Sequence, residues 1–216
     1  MSASLSLRCG TNNPQLNANP NNSSPLLLEF NKQGDRFAHR LCISSGSSYI
    51  PVLKSHTLDP TAPWPSDPPL QQVVFEPLGP NQENVALGVG LAGHGHWSLA
   101  ARCCEAPNSI ELDFACRITR PTPFLGSTYQ VIHQPSQQST QNDVSLVHVA
   151  NNQVGWTAQW KTKNGNSLTL QLHATIGTLL WDPSNFQLQV LPQSLPQTPI
   201  EKPTTLRWCY HISLSA

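Results

Sequence analysis

The sequence predicts an all-β protein, an antiparallel β-sandwich of two sheets with about twelve strands. Short runs of alternating apolar and polar residues recur along the chain, and turn residues such as Asn151-Asn152 separate them. No stretch has apolar residues at helical spacing for three turns, and the 20 prolines argue against long helices. The predicted strands lie near residues 26–31, 36–44, 71–76, 85–91, 97–104, 109–119, 127–133, 143–149, 154–162, 167–176, 186–191 and 204–214.

The chain of 216 residues has the size of one large domain. Residues 1–25 are predicted to be a loose N-terminal arm, since the segment GTNNPQLNANPNNSSP is polar and rich in turn residues. Residues 26–216 are predicted to form a single sandwich domain. Two proline-rich segments, 57–69 and 192–203, are expected to be surface loops. Trp64 in the first is expected to plug the sandwich edge, with a lid as the alternative.

Composition argues against several classes of partner. Charged residues make up 11% of the chain, and 12 acidic residues balance 12 basic ones, so no basic surface for nucleic acid or anionic membrane is expected. No apolar run approaches the roughly 18 residues that span a bilayer, and the first residues do not resemble a signal peptide. A soluble, cytoplasmic protein is therefore expected. The six cysteines show no C-x-x-C spacing and are expected to be reduced.

The segment ALGVGLAGHGHWSLAARCC, residues 86–104, fits two unrelated motifs. Gly88, Gly90 and Gly93 match G-x-G-x-x-G, the dinucleotide-binding fingerprint. That motif works only where a strand enters a helix whose N-terminus holds a pyrophosphate, and it needs several βαβ units. An all-β pattern therefore argues against this interpretation, since a helix over 91–104 would be the one helix of the chain.

The same segment also matches G-x5-H-x-H through Gly88, His94 and His96. This spacing resembles the first metal-binding motif of the cupins, a family of all-β barrels. The resemblance covers residues 88–96 alone and implies metal binding through the two histidines. The family places a glutamate four or five residues after the second histidine, where this chain has Ala100 and Ala101. A metal usually takes three or four ligands, so no metal and no cofactor are predicted.

Side-chain parity predicts how the strands around this segment pair, because apolar side chains of paired strands must share a face. Both 97–103 and 109–118 have apolar residues at every second position, with polar residues or alanine between them. Pairing Leu99 with Phe114 places all the apolar side chains together. It leaves the four residues Glu105-Ala106-Pro107-Asn108 as an ordinary hairpin turn.

The preceding strand, 85–91, is assigned in the same way. Pairing Leu91 with Trp97 places its large apolar side chains with those of the next strand and leaves 92–96 as a five-residue glycine-rich loop. Residues 85–118 are then a three-stranded meander with one continuous apolar face.

The opposite face of this meander is the predicted ligand site. Small residues form its floor and charged residues lie at its edge, in a chain that is poor in charge. Glycine inside a strand often marks close approach by a ligand or another backbone. The rows across the meander are Gly90, Ser98 and Ala115; Gly88, Ala100 and Asp113; and Ala86, Arg102 and Glu111. The predicted ligand-binding residues are His96, Arg102, Glu111, Asp113 and Arg117.

Two simpler interpretations of this face stay open. Arg102 and Glu111 could be an ordinary cross-strand ion pair on a solvated surface, worth at most about 1 kcal/mol. A proline-rich loop could also cover the small residues. Glu111 and Asp113 on one face also suggest two-carboxylate acid–base chemistry.

The hairpin 154–176 offers a second candidate surface. A two-residue turn at Asn164-Gly165 would expose Trp156 beside His173 as an aromatic platform for sugar rings. A three-residue turn instead sends Trp156 and Trp160 into the core with the leucines, which burial of two large apolar side chains favours.

Three functional hypotheses follow, and whether the chain is an enzyme stays open, with no catalytic residue assigned. The first is a binding module for a neutral polar, carbohydrate-like ligand on the charged face of the meander. The second is a sugar-active or cupin-like metal-dependent enzyme using the same face. The third is a structural or oligomerising β-protein without a small-molecule site. The chain has no G-x-S-x-G, P-loop or H-E-x-x-H motif, which argues against the familiar hydrolases, nucleotide triphosphatases and zinc proteases.

Overall fold

The computed structural model describes residues 4–9, 25–45, 48–56, 64–77, 84–106, 108–132, 144–162, 165–195 and 200–215. These residues form fifteen strands and no helix. The strands are β1 (Ser4–Cys9), β2 (Leu26–Gln33), β3 (Arg36–Ser45), β4 (Ser48–Ser55), β5 (Gln72–Pro77), β6 (Asn84–Ala92), β7 (Gly95–Cys103), β8 (Ser109–Ile118), β9 (Ser127–Val131), β10 (Val144–Asn151), β11 (Gly155–Thr162), β12 (Ser167–Ile176), β13 (Thr178–Asp182), β14 (Gln187–Leu191) and β15 (Thr204–Ser215).

The strands form two antiparallel sheets that pack face to face, which confirms the predicted β-sandwich. The seven-stranded sheet has the order β1-β2-β3-β4-β9-β14-β13, and the eight-stranded sheet has the order β10-β11-β12-β15-β8-β7-β6-β5. Apolar side chains of both sheets meet between them in one core. Because side chains alternate along a strand, the other face of each sheet points outward.

Aromatic rings fill the centre of this core. Trp208 stacks on Phe114 with ring centroids 5.6 Å apart and meets Trp97 edge to face at 5.9 Å. The indole N–H of Trp208 donates to Ser127 Oγ at 2.9 Å, and that of Trp160 donates to the carbonyl oxygen of Ile132 at 3.1 Å. Both bonds reach from the eight-stranded sheet toward the other layer and satisfy donors that burial would otherwise leave unpaired.

Each of the twelve strands expected from alternation lies on an observed strand, and three further strands were not expected. The prediction of a loose arm is wrong for Ser4–Cys9, which pairs with β2 from Ser4↔Asn31 to Cys9↔Leu26. Residues 10–24 of that arm lie outside the described residues. The segment of β4 contains Pro51, which removes a ladder donor; its pairing with β3 shifts at Leu41/Cys42. Strand β13 is short and follows Gly177.

The expectation that all six cysteines are reduced is also wrong, because Cys9 and Cys103 form a disulfide. Cys9 ends β1 in one sheet and Cys103 ends β7 in the other, and their Cα atoms lie 5.4 Å apart. The bond therefore ties the two layers together. The disulfide was not predicted because Cys9 lies in β1, a segment that was assigned from the sequence to a loose arm.

The register predicted for β7 and β8 is confirmed, with Leu99↔Phe114 and Cys103↔Ile110. The register predicted for β6 and β7 is wrong by one residue: Gly90, not Leu91, faces Trp97. The loop is the two-residue turn Gly93-His94, with Gly93 at φ +53°. Two-residue turns match the twist of paired strands. A slip of one residue exchanges the two faces of a strand, so β6 turns its glycines inward.

The inward glycines leave room for the end of the first proline-rich segment and for Leu70, which follows it. A Cβ on Gly90 would lie 1.8 Å from the carbonyl oxygen of Pro69, and one on Gly88 would lie 3.1 Å from the side chain of Leu70. Leu70 is fully buried and accepts a backbone hydrogen bond from Phe37 at 2.7 Å. The segment before β5 is thus packed between the sheets.

The hairpin of β11 and β12 buries its tryptophans as the core interpretation predicts, since Trp156 and Trp160 are 0% and 1% exposed. The aromatic platform on the outside is therefore wrong. The pairing Trp156↔Leu172 is displaced by two residues from the predicted register, which preserves parity. The long last strand β15 turns Trp208 and Tyr210 inward, as predicted.

Candidate functional site

The five predicted ligand-binding residues all lie on the outer face of the eight-stranded sheet. They are His96 and Arg102 of β7 and Glu111, Asp113 and Arg117 of β8. Trp97 and Phe114, which follow His96 and Asp113 in sequence, are buried on the opposite face. The register pairs His96 with Arg117 and Arg102 with Glu111 across the two strands. The prediction that these five side chains share one face of β7 and β8 is confirmed. Their role in ligand binding stays a prediction.

One end of this face carries a chain of four polar side chains. Arg102 donates from Nε to Glu111 Oε1 at 2.7 Å, and its Nη2 lies 2.7 Å from the same oxygen. Glu111 Oε2 lies 3.0 Å from His211 Nε2. On the other side of its ring, His211 Nδ1 lies 3.4 Å from Cys104 Sγ. The side chains of Glu111 and His211 are 16% and 36% exposed, so the chain runs along a partly shielded surface.

A second cross-strand pair lies beside it, where β8 meets β15. Arg207 donates from Nε to Asp113 Oδ1 at 2.6 Å and from Nη2 to Oδ2 at 2.5 Å. This is the two-pronged geometry in which a planar guanidinium matches a carboxylate. The hydrogen bond and the charge of Asp113 raise the pKa of Arg207 above its ordinary value. Both acidic side chains of this face therefore already accept hydrogen bonds from arginine.

We define the polar face as His96, Arg102, Glu111, Asp113, Arg117, Arg207 and His211. The sequence missed the contribution of β15, although its signal was present. Pairing the inward Trp208 with the inward Phe114 places Arg207 opposite Ala115 and His211 opposite Glu111, as the structure has them.

The predicted floor of small residues is wrong, because β6 presents its other face. Beside the polar face, the outer side of β5 and β6 carries a run of exposed apolar side chains. We call this run the apolar stripe; its members are Val74, Leu87, Val89 and Leu91, which are 50%, 39%, 50% and 53% exposed. The register places Val74 beside Leu87, so the members are neighbours across the two strands.

The two histidines of the cupin-like segment lie in different surroundings. His94, in the turn, has its Nε2 3.0 Å from the carbonyl oxygen of Arg120 and its ring 4.8 Å from that of Trp64. His96 is on β7 and exposed. Among the described residues no three histidine, cysteine or acidic side chains come together as a group able to hold a metal ion.

Trp64 packs against the core at this end of the sandwich, as expected of a plug. Its indole N–H donates to the carbonyl oxygen of Phe124 at 2.5 Å, and its ring lies 5.9 Å from that of Trp97. A Cβ on Gly95 would come within 2.9 Å of the Trp64 ring, which accounts for a glycine at this position.

A buried polar cluster between the sheets was missed by sequence reasoning. His39 Nε2 lies 2.7 Å from Tyr129 Oη, which hydrogen-bonds Tyr210 Oη. His39 Nδ1 lies 3.8 Å from Asp67 Oδ2. Burial lowers the pKa of His39 to about 4 and raises that of Asp67 well above its usual value. Burial therefore favours the neutral form of both side chains, and they attach the proline-rich segment to the core.

Comparison of the chain with models of known protein families gives no match, and comparison with curated proteins gives none. Within the described residues, no helix has the length and apolar character needed to cross a membrane. The geometry of the sheet faces is therefore the basis for a functional proposal.

Proposed function

We propose that the protein is a binding module that takes a neutral, polar, carbohydrate-like ligand on the polar face. The observation that carries this proposal is the pairing of both carboxylates of this face with arginine. Glu111 meets Arg102 and Asp113 meets Arg207. The charges of these two pairs compensate one another, and Arg117 adds one positive charge to the face, so the face offers hydrogen bonds with little preference for a charged ligand.

The paired arginines keep donors available to a ligand. A guanidinium has five N–H donors in one plane, and the pairs use only some of them. The side chains of Arg102 and Arg207 are 55% and 54% exposed. Their carboxylate partners fix the planes of these groups, so little side-chain freedom remains to be lost on binding. Rigid planar donors of this kind suit the hydroxyl groups of a sugar.

The apolar stripe supports the same proposal, because ligand sites combine apolar contact with a few oriented polar groups. Leu91 pairs with His96, and Val89 pairs with Ser98, so the stripe continues directly into the polar face. The C–H faces of a sugar ring would contact the stripe while its hydroxyl groups reach the arginines.

A glycan array followed by isothermal titration calorimetry tests this proposal. The variants R102Q and R207Q should each weaken binding about tenfold or more, as expected when a charged hydrogen-bond donor is lost. Arg120, an exposed residue beyond the end of β8, provides the control R120Q, which should bind as the wild type does. Failure of every neutral glycan to bind the wild type would refute the proposal, as would equal losses in R120Q and R207Q.

The apolar stripe favours a second candidate function, self-association. Contiguous exposed apolar residues often mark protein–protein contacts, and a second copy of this chain would bury both stripes in one self-complementary interface. The variant L91S should then convert a dimer to a monomer in light scattering coupled to size exclusion. The exposed Leu180 of β13, on the other sheet, provides the control L180S. A monomeric wild type at all concentrations would eliminate this candidate.

A further inference from the structure

Four side chains connect a thiol to an arginine along the outer side of the eight-stranded sheet, in the order Cys104, His211, Glu111, Arg102. Cys104 follows β7, His211 is on β15, and Glu111 is on β8, so three sheet segments hold the arrangement. A nucleophile within hydrogen-bond reach of a base, with the base oriented by a third group, is the arrangement of activated nucleophiles.

The hydrogen bonds set the tautomer of the imidazole. Glu111 can only accept, so the nitrogen of His211 that lies 3.0 Å from it carries the proton. The other nitrogen, Nδ1, then has its lone pair directed at Cys104 Sγ, 3.4 Å away. Arg102 fixes Glu111 from the far side. The imidazole is thus presented to the thiol as a base.

We propose that Cys104 is a nucleophilic thiol, activated by His211, that undergoes exchange with low-molecular-weight disulfides. Glu111 and Arg102 are positioning residues that act through His211. This inference is independent of carbohydrate binding, because it rests on the thiol and its imidazole partner.

The remaining described thiols provide an internal contrast. Cys42, Cys116 and Cys209 are buried, whereas Cys104 is half-buried. Burial raises the pKa of both Cys42 and Cys116 to about 12 and also raises that of Cys209. A thiol that stays protonated and lacks solvent access is a poor nucleophile. Within the described residues, the thiol of Cys104 therefore has both access and a base.

The exchange step balances without a further reagent. The proton of Cys104 Sγ passes to His211 Nδ1, and the thiolate attacks one sulfur of the disulfide R–S–S–R. The bond between Cys104 Sγ and that sulfur forms as the original S–S bond breaks. The leaving thiolate R–S⁻ takes the proton from His211 Nδ1. Cys104 is oxidised to a mixed disulfide, and one half of the reagent is reduced to R–SH.

Other charged and titratable groups face this site from the neighbouring strands. His173 of β12 pairs with His211 in register, and Asp113 with Arg207 lies one row along the sheet. Glu105 follows Cys104 in the turn. The two acidic groups on the strands are compensated by arginine, and the imidazole of His211 lies 3.4 Å from the thiol, within reach of its proton.

The test uses bis(2-hydroxyethyl) disulfide, a neutral reagent, at pH 7 with peptide mapping by mass spectrometry. An ordinary thiol is only a few per cent thiolate at this pH, so activation should make Cys104 react about tenfold faster than the thiol of glutathione. The variant H211Q should lose this tenfold advantage. E111Q should lose part of it and move the rate–pH profile of Cys104 to higher pH. His148, an exposed histidine of β10, provides the control H148Q, which should react as the wild type does.

Near-ultraviolet circular dichroism of the six tryptophans confirms the fold of each variant. Three outcomes overturn the proposal: Cys104 of the wild type reacting no faster than glutathione, modification falling first on a buried cysteine, or a folded H211Q reacting at the wild-type rate. The comparison of wild type with glutathione needs no variant, so it decides the matter even if H211Q does not fold.

Discussion

Replacing Asp67 by asparagine should make the protein lose stability as the pH falls from about 6.5 to 4. The reason is that His39 is buried as the neutral imidazole, with its pKa lowered from 6.5 to about 4 by loss of solvation. The unfolded chain takes up a proton on this residue near pH 6.5, whereas the folded chain takes it up only near pH 4. A group with a lowered folded pKa stabilises the fold above its unfolded pKa and loses that contribution on acidification.

In the wild type, Asp67 opposes this trend. Burial raises its pKa well above 3.8, so the folded chain holds a proton that the unfolded chain has released. The contribution of Asp67 to the stability of the fold is fully present below pH 3.8. It is lost as the pH rises through the pKa of Asp67 in the folded chain. Asparagine resembles the neutral carboxyl group in shape and can still accept hydrogen bonds from Ser55 and Thr128, which bind Asp67 in the fold. The substitution D67N therefore leaves the contribution of His39 unopposed.

The magnitude follows from the interval between the two pKa values of His39. Between 6.5 and about 4, each pH unit corresponds to about 1.4 kcal/mol, so the loss on acidification is about 3 kcal/mol. Other titrating groups also change the free energy of unfolding in this pH range. Their contributions cancel when D67N is compared with the double variant D67N/H39Q.

Urea unfolding at pH 7.5, 6.5, 5.5 and 4.5, followed by tryptophan fluorescence, measures this difference. The free energy of unfolding of D67N relative to D67N/H39Q should be constant above about pH 6.5 and should fall steadily below it. A difference that stays flat or rises on acidification would show that His39 is protonated in the folded chain, and the reasoning would fail.

Two further predictions concern the packing of the sandwich. G90A should cost more than about 3 kcal/mol in urea unfolding, because its Cβ would lie 1.8 Å from the carbonyl oxygen of Pro69. G88A should cost clearly less, because the atoms nearest to its Cβ would belong to side chains, with the flexible side chain of Leu70 at 3.1 Å and the Cβ of Leu99 at 3.3 Å. An equal cost for both would contradict the observed packing. Removing the disulfide with C9S/C103S should cost about 4 kcal/mol, since the bond closes a loop with a sequence separation of 94 residues. A loss below about 1 kcal/mol, or no change on reduction of the wild type, would argue against the bond.

The predicted fold follows from alternation, and the faces of β7 and β8 show why. Each of these strands has a continuous series of apolar residues at every second position, so only one orientation buries them. The same rule predicts the inward face of β15. Where the alternation is clean, the sequence therefore determines which side chains share a surface.

Strand β6 shows where this reasoning fails. Its residues Val85 to Leu91 offer large apolar side chains on one face and glycines on the other, and burial of the larger set is the natural prediction. The structure buries the glycines instead, because Pro69 and Leu70 occupy the space above them. That contact joins Pro69 and Leu70 with glycines of β6, and the alternation within β6 contains no sign of it. Because the glycines of β6 face inward, its large apolar side chains face outward and form part of the apolar stripe. The glycines therefore do not form the predicted floor of the ligand site.

The contact of Cys104 with His211 and the buried polar cluster could not be predicted from the sequence, for the same reason. Cys104 and His211 are 107 residues apart in sequence and meet only because β15 pairs with β8. His39 and Asp67 belong to different elements and become neighbours only when the proline-rich segment enters the core. Pairings of this kind depend on strand order, which alternation alone does not provide.

The most direct test of the proposed function is a titration of the ¹⁵N-labelled protein with neutral oligosaccharides, followed by ¹H–¹⁵N correlation spectra. The proposal predicts shift changes at the backbone amides of 96–102, 111–117 and 207–211, with the strands of the seven-stranded sheet unaffected. Saturable changes centred on that other sheet, or spectra unchanged by any of the glycans, would contradict it.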